Sequence, residues 1–176
     1  MGADHAVERD TMDDKAAPNR QASIDRTVEW VDTDASGHQH NSAIMRWVEA
    51  AEAELFRGLK LPEYFPIAPR VQQIVNYKSK LWFGQRVTAK VEIQRLGRTS
   101  ITYGFQVHGH ARAGSDGGLA AFGSVTVAHV PAGSATAQPW PANIRAAVHP
   151  VESTPESTPE DTPESASQGT PESAGP

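Results

Sequence analysis

Between Ser42 and Gly58 the apolar residues Ile44, Trp47, Val48, Ala51 and Leu55 recur at the spacing of one helical face, and Gly58 stands where such a run would stop. This predicts one long amphipathic helix. Met45, Glu49, Glu52 and Phe56 share a flank of it, which reads either as a salt-bridged edge or as a functional face. Before the helix, Thr27-Val28-Glu29-Trp30-Val31 has the β-branched and aromatic content of a strand. After a Pro-containing connection, Leu61 to Pro69, the period changes to two. Val87, Ala89, Val91 and Ile93 alternate with polar residues, as do Ile101, Tyr103, Phe105 and Val107, with Gly97-Arg98-Thr99 as the turn between them. Val71 to Leu81 and Leu119 to Val130 read as two further strands, with a Gly114 to Gly118 loop before the last. The predicted order is a strand, a long helix and four strands in a meander. That is an α+β pattern with an antiparallel sheet, since short turns cannot make parallel crossovers. Such a sheet leaves an edge open, so at least a dimer is expected. Pro139 to Arg145 suggests a short terminal helical turn with Trp140 docking onto the core.

The chain ends behave differently from this core. With 176 residues the chain has room for one domain. Residues 1–24 are polar without periodicity and are expected to be disordered; their acids and lack of an apolar stretch argue against a secretory signal. Residues 151–176 form a degenerate Thr-Pro-Glu-Ser-rich tail that cannot bury apolar surface and offers Ser/Thr-Pro sites for phosphorylation. The domain is therefore placed at residues 25–150. Of 21 acids, five lie in the first segment and six in the tail, so the domain has ten against 13 Lys and Arg. A mildly basic core suits a phosphorylated ligand, whereas nucleic-acid readers show a concentrated basic stripe. The absence of cysteine excludes disulfides, thiol nucleophiles and cysteine-based metal sites. No apolar run is long enough to span a membrane, and a cytoplasmic protein is the default expectation.

The candidate chemistry lies in Asp32-Thr33-Asp34-Ala35-Ser36-Gly37-His38-Gln39-His40-Asn41, between the first strand and the helix. A carboxylate released at a strand end, a few residues before open helix N–H groups, places a base or nucleophile beside an oxyanion site. The same residues also read as turn formers, with Asn41 or Ser42 capping the helix. Both readings stand at this point.

These residues resemble the hotdog-fold acyl-CoA thioesterases, particularly the 4-hydroxybenzoyl-CoA thioesterase type. The resemblance rests on Val31-Asp32-Thr33-Asp34-Ala35-Ser36-Gly37, the His40-Asn41-Ser42 helix entry, Glu49, Asn76-Tyr77 and Gly84, and covers about residues 26–148. It implies an antiparallel sheet wrapped around one central helix. It implies hydrolysis of an acyl-CoA thioester to free acid and CoA, with no cofactor beyond the CoA of the substrate. Asp34 would be the catalytic nucleophile or general base, and a backbone N–H near His40 and Asn41 would polarise the carbonyl. Glu49 would orient substrate or serve as an alternative catalytic acid, and Arg98, Thr99 and Ser100 would contact CoA. Gly37 and His38 are added as substrate-binding candidates, and His38 or His40 as a group assisting Asp34, since imidazole titrates near neutrality. The two histidines depart from the mostly apolar residues of the 4-hydroxybenzoyl-CoA type, which puts an aromatic substrate in question.

Two other functions compete. A hotdog hydratase would carry a histidine five residues after an aspartate, yet Gly37 and Gln39 occupy those places after Asp32 and Asp34. A non-catalytic acyl-thioester-binding or assembly module is the alternative, with the tail as its contact. A His-x-His pair beside two aspartates is a weak metal pattern in a loop, and no metal is expected. Ile44, Trp47, Tyr64 and Phe65 read equally as pocket lining or core. The expected partners are an acyl-CoA and further copies of the chain, as homodimer or homotetramer, without nucleic acid or membrane.

Overall fold

The structure, a computed structural model, describes residues 20–149; the bulk of the expected N-terminal segment and the whole expected tail lie outside the described residues. Five strands form one antiparallel sheet: β1 (Gln21–Thr27), β2 (Arg70–Tyr77), β3 (Arg86–Leu96), β4 (Ser100–Gly109) and β5 (Gly118–Ala128). The long helix α1 (Asn41–Gly58) joins β1 to β2, and a short helix α2 (Ala142–Val148) follows β5.

The sheet order is β1-β3-β4-β5-β2. Only β3, β4 and β5 form a meander, so β2 does not sit beside β3 as the sequence suggests. It crosses to the opposite edge and pairs with β5, from Arg70 opposite Val127 to Tyr77 opposite Ala121. Because every adjacent pair is antiparallel, the two edge strands β1 and β2 run parallel. A helix is the connection such a pair requires, and α1 supplies it by lying across one face of the sheet against β1 and β3. This is the hotdog arrangement implied by the resemblance.

The expected first strand is also displaced. Thr27 ends β1, Val28 is buried, and Trp30–Asp32 is a single 3-10 turn. Asp32 explains the difference: its carboxylate accepts from the Glu29 backbone N–H at 2.9 Å and curls the chain back. The strand instead begins at Gln21, inside the segment expected to be disordered, because Gln21 to Thr27 pairs with Glu92 to Arg86 of β3. β2 stops at Tyr77, leaving Lys78 to Leu81 in the connection to β3.

The apolar stripe of α1 packs on the alternating inward positions of β3, β4 and β5, among them Val91, Tyr103, Phe105 and Val125. Ile44, Trp47 and Tyr64 belong to this core, while Phe65 is exposed. Trp140 docks as expected, buried and stacked between His129 (5.0 Å) and Tyr64 (6.0 Å). Gly123 on β5 allows the edge strand to close, since a Cβ there would lie 1.8 Å from the Ile74 carbonyl oxygen and 2.8 Å from Phe105.

The second flank of α1 resolves into a charged seam. Glu52 is buried and accepts from Tyr64 Oη at 3.0 Å and from Arg70 Nη2 at 2.5 Å. Arg70 also holds Glu49 at 2.6 Å, tying the helix to the start of β2. Burial, reinforced by Glu52, pushes both the Tyr64 and the Tyr103 phenols up, so both stay neutral. Along β2 the side chains of Val71, Ile74 and Tyr77 are exposed despite their apolar character. An open, apolar edge of this kind invites strand addition.

Candidate active site

Two aspartates two residues apart are separated by the local fold. Asp32 is buried, takes the Glu29 N–H, and forms an ion pair with Arg46 of α1 at 2.5 Å. Asp34 is exposed. The chain turns tightly around it: the Asp34 N–H donates to the His38 carbonyl at 3.2 Å, the Gly37 N–H donates to the Asp34 carbonyl at 3.0 Å, and Gly37 adopts φ +78°. That left-handed conformation is why glycine stands there. Asp34 Oδ1 accepts from the Ser36 N–H at 2.8 Å and from the Ser36 hydroxyl. These two donors, with His38 and His40 nearby, hold the carboxyl below its ordinary value. Asp34 is thus an exposed carboxylate at neutral pH.

The helix begins on His40 and not on Asn41 or Ser42. His40 is the N-cap residue, and its Nδ1 accepts from the Ser42 N–H at 3.2 Å. The Ala43 N–H is taken by the His40 carbonyl at 3.0 Å, which leaves the Asn41 N–H as the first-turn donor available to a bound group. Tyr77 Oη donates to the Asn41 carbonyl at 3.1 Å and pins this end of α1 to the end of β2.

Asp34, His38, Gln39, His40 and Asn41 line a cleft of about 400 Å³ with Tyr77, Lys78, Ser79 and Lys80. A second hollow of about 440 Å³ shares Asp34 and is walled by Trp30, Thr33, Ala35, Gly37 and Phe83. Trp30 and Phe83 are exposed and meet edge to face at 6.3 Å. Asp34 therefore stands where a basic cleft meets an aromatic one.

Of the residues singled out in the sequence, Asp34, Gly37, His38, His40 and Asn41 come together. Glu49 does not line the cleft, being engaged by Arg70. Arg98 and Thr99 lie in the β3–β4 turn and Ser100 opens β4; the Thr99 and Arg98 carbonyls accept from the His129 and Trp140 N–H groups. The eleven-residue length of β3 separates that turn from the cleft end of the sheet, on the order of 35 Å. Lys78, Lys80, Trp30 and Phe83 were not anticipated as site residues. The Lys78-Ser79-Lys80 cluster was visible as charge after an apolar strand, but only the crossing of β2 brings it to Asn41. Among the described residues, no group of three His, Asp or Glu side chains is placed to hold a metal ion. No helix among them is long and apolar enough to cross a membrane.

Residues 36–110 match the thioesterase superfamily, spanning α1, β2, β3 and β4. This match covers 75 of the 176 residues. Solved structures share the fold. A predicted thioesterase from Bacillus stearothermophilus superposes with TM-score 0.64 at 25% identity over 73% of this chain and 93% of its own. The 4-hydroxybenzoyl CoA thioesterase from Pseudomonas sp. strain CBS-3 gives TM-score 0.64 at 19% identity, over 73% of this chain and 99% of its own. A thioesterase from Thermus thermophilus, solved with coenzyme A and Zn, gives TM-score 0.63 at 22% identity, over 72% and 90%. No curated protein matches the sequence. The sheet and central helix are thus of hotdog fold, similar to these thioesterases.

Proposed function

We propose that the chain hydrolyses an acyl-CoA thioester to the free acid and CoA, with Asp34 acting at the thioester carbon. One observation carries this: the Asp34 carboxylate and the open N-terminus of α1 line the same cleft, which also bears Lys78 and Lys80. The cations suit the phosphates of CoA, and the aromatic hollow on the other side of Asp34 suits an apolar acyl group. The scissile carbon then lies at Asp34, between the two.

In the general-base form, Asp34 takes a proton from water as the water oxygen bonds to the carbonyl carbon. The carbonyl electron pair moves to oxygen, where the Asn41 N–H stabilises it. Collapse re-forms the carbonyl and breaks the C–S bond; the sulfur takes the proton back from Asp34 and leaves as CoA thiol. In the nucleophilic form, Asp34 displaces the thiolate to give a mixed anhydride, which water then hydrolyses. One oxyanion donor contributes about 3 kcal/mol and general-base catalysis about 10² to 10⁴ in rate, enough for an activated ester.

The apolar β2 edge supports a homodimer by antiparallel addition of a second β2. Such pairing sets the Arg70 end of one copy against the Tyr77 end of the other. Ser100 lies opposite Ala128 at the Arg70 end, so Arg98, Thr99 and Ser100 would flank the cleft of the second copy. Their CoA contact is therefore assigned across the dimer. Glu49, held by Arg70 at that same end, is assigned a substrate-orienting role there.

The test is thiol release from short, long and aromatic acyl-CoAs by the intact protein, Asp34→Asn and Glu49→Gln. Loss at Asp34→Asn with most activity kept at Glu49→Gln supports this reading; loss only at Glu49 moves the catalytic acid. Absence of hydrolysis by folded protein leaves a binding module. Label entering Asp34 in a single turnover in ¹⁸O water identifies the nucleophilic form, with water opening the anhydride at the Asp34 carbonyl.

A further inference from the structure

The loop holds a hydrogen-bonded chain that the hydrolysis itself does not require. Ser36 Oγ reaches Asp34 Oδ1 on one side and lies 2.9 Å from His38 Nε2 on the other. The remaining ring nitrogen, Nδ1, lies 3.3 Å from the Gln39 carbonyl oxygen. Gln39 is an anchored acceptor: it is buried, its N–H donates to the Leu81 carbonyl at 2.8 Å, and its side-chain oxygen accepts from the Leu81 N–H at 2.5 Å.

Counting protons along this chain selects a charge state. Ser36 has one hydroxyl proton and, on either side, a carboxylate oxygen and an imidazole nitrogen. If both ring nitrogens carry hydrogen, Nδ1–H donates to Gln39, Nε2–H donates to Ser36, and the Ser36 hydroxyl donates to Asp34. Every group then has its partner. If His38 loses a proton and keeps Nδ1–H, its bare Nε2 competes with Asp34 for the single Ser36 proton. If it keeps Nε2–H, the bare Nδ1 faces the Gln39 carbonyl.

We propose that Ser36 and His38 are positioning residues that couple the Asp34 carboxylate to the protonation state of His38, through the one hydroxyl proton they share. With His38 protonated, Oδ1 is held by both Ser36 donors and Oδ2 is presented to the reacting carbon. With His38 neutral and its remaining proton on Nδ1, toward the Gln39 carbonyl, the Ser36 hydroxyl is drawn to the bare Nε2 and Asp34 is held by the backbone N–H alone. The groups around His38 are Asp34, Ser36 and His40 of its own loop, and Lys78 and Lys80 across the cleft. The Trp82 ring stands edge-on at 6.0 Å, with the Arg112 guanidinium 5.4 Å over that ring. The coupling rests on the acyl-thioester reading only for its effect on rate.

The test is an NMR titration of the full chain, following the Asp34 side-chain carboxyl carbon, assigned by its loss in Asp34→Asn, together with the His38 ring. Wild type is expected to show the carboxyl inflection at low pH and a smaller one coincident with the ring titration. Ser36→Ala should abolish the second inflection and move the first up toward the ordinary carboxylate value. His38→Asn should abolish the second while leaving the first low, and Ser36→Thr should restore both. A wild-type profile without the second inflection, or one that persists in Ser36→Ala, overturns the proposal. In turnover, Ser36→Ala should lower kcat about tenfold with KM little changed, the size of losing one hydrogen bond to a charged group. The limb of the pH profile that tracks the ring titration should vanish in both single variants. Asp34→Asn retaining wild-type turnover would refute the catalytic reading, while the titration decides the coupling by itself.

Discussion

Replacing Arg70 by Met should destabilise the domain by about 3 kcal/mol, because it leaves a buried carboxylate without its cation. Glu52 is 3% exposed and is held by two donors, Arg70 and Tyr64. Breaking a buried pair by removing one partner typically costs about 3–5 kcal/mol, most of it the penalty on the charge left behind. The Arg70 side chain is 33% exposed, so water takes over part of its role and the lower end of that range applies. For a domain of about 130 residues, each kcal/mol lowers Tm by roughly 3–4 °C, which gives a fall of about 10 °C. Differential scanning calorimetry measures this, with urea midpoints as a second reading. The decisive comparison is the double variant Glu52→Gln with Arg70→Met, which removes the stranded charge and should recover about half the loss. A double variant no more stable than Arg70→Met alone, or a single variant within 1 kcal/mol of wild type, would refute the reasoning and relegate the seam to a solvated surface pair.

Asp34→Asn should keep the folded far-UV spectrum and lower kcat by about 10² to 10⁴, measured by thiol release. Since the Ser36 donors hold the Asp34 carboxyl below 3.8, kcat/KM should stay on its plateau as pH falls through the ordinary carboxylate range and decline only below it. A decline centred above that value would contradict the assignment. Lys80→Ala should raise KM about tenfold for acyl-CoA, and leave unchanged the KM for the same acyl group on a thiol lacking phosphates. Ile74→Lys on the open edge should turn a dimer into a monomer by analytical ultracentrifugation and abolish turnover with it.

The sequence carried the helix and the three central strands because their apolar periods are long and locally self-consistent, with Val87 to Ile93 and Ile101 to Val107 alternating without a break. It did not carry the place of β2. Val71 to Tyr77 is apolar enough for either edge, and its partner depends on a non-local choice that Gly123 enables. Nor did it carry the shape of the entry to the site. Thr27 to Val31 has strand composition, yet the Asp32 carboxylate captures the Glu29 N–H and overrides it. The aspartate proposed to act in chemistry was legible from its place before the helix. Its separation from Asp32 was not, since that rests on Arg46, fourteen residues away. Lys78 and Lys80 were hidden for the same reason as β2: they reach the cleft only through the crossing.

The two aspartates, two residues apart, divide the ways this protein fails. Loss of Asp32 removes the ion pair to Arg46 and the acceptor for the Glu29 N–H, untying the turn, so its variants should behave as temperature-sensitive alleles, recovered by growth in the cold or by any stabilising change elsewhere. Loss of the Asp34 carboxylate frees only the two Ser36 donors of an exposed turn. Its variants should accumulate at full abundance, and on the proposed function Asp34→Asn becomes a trap that holds a thioester unconsumed.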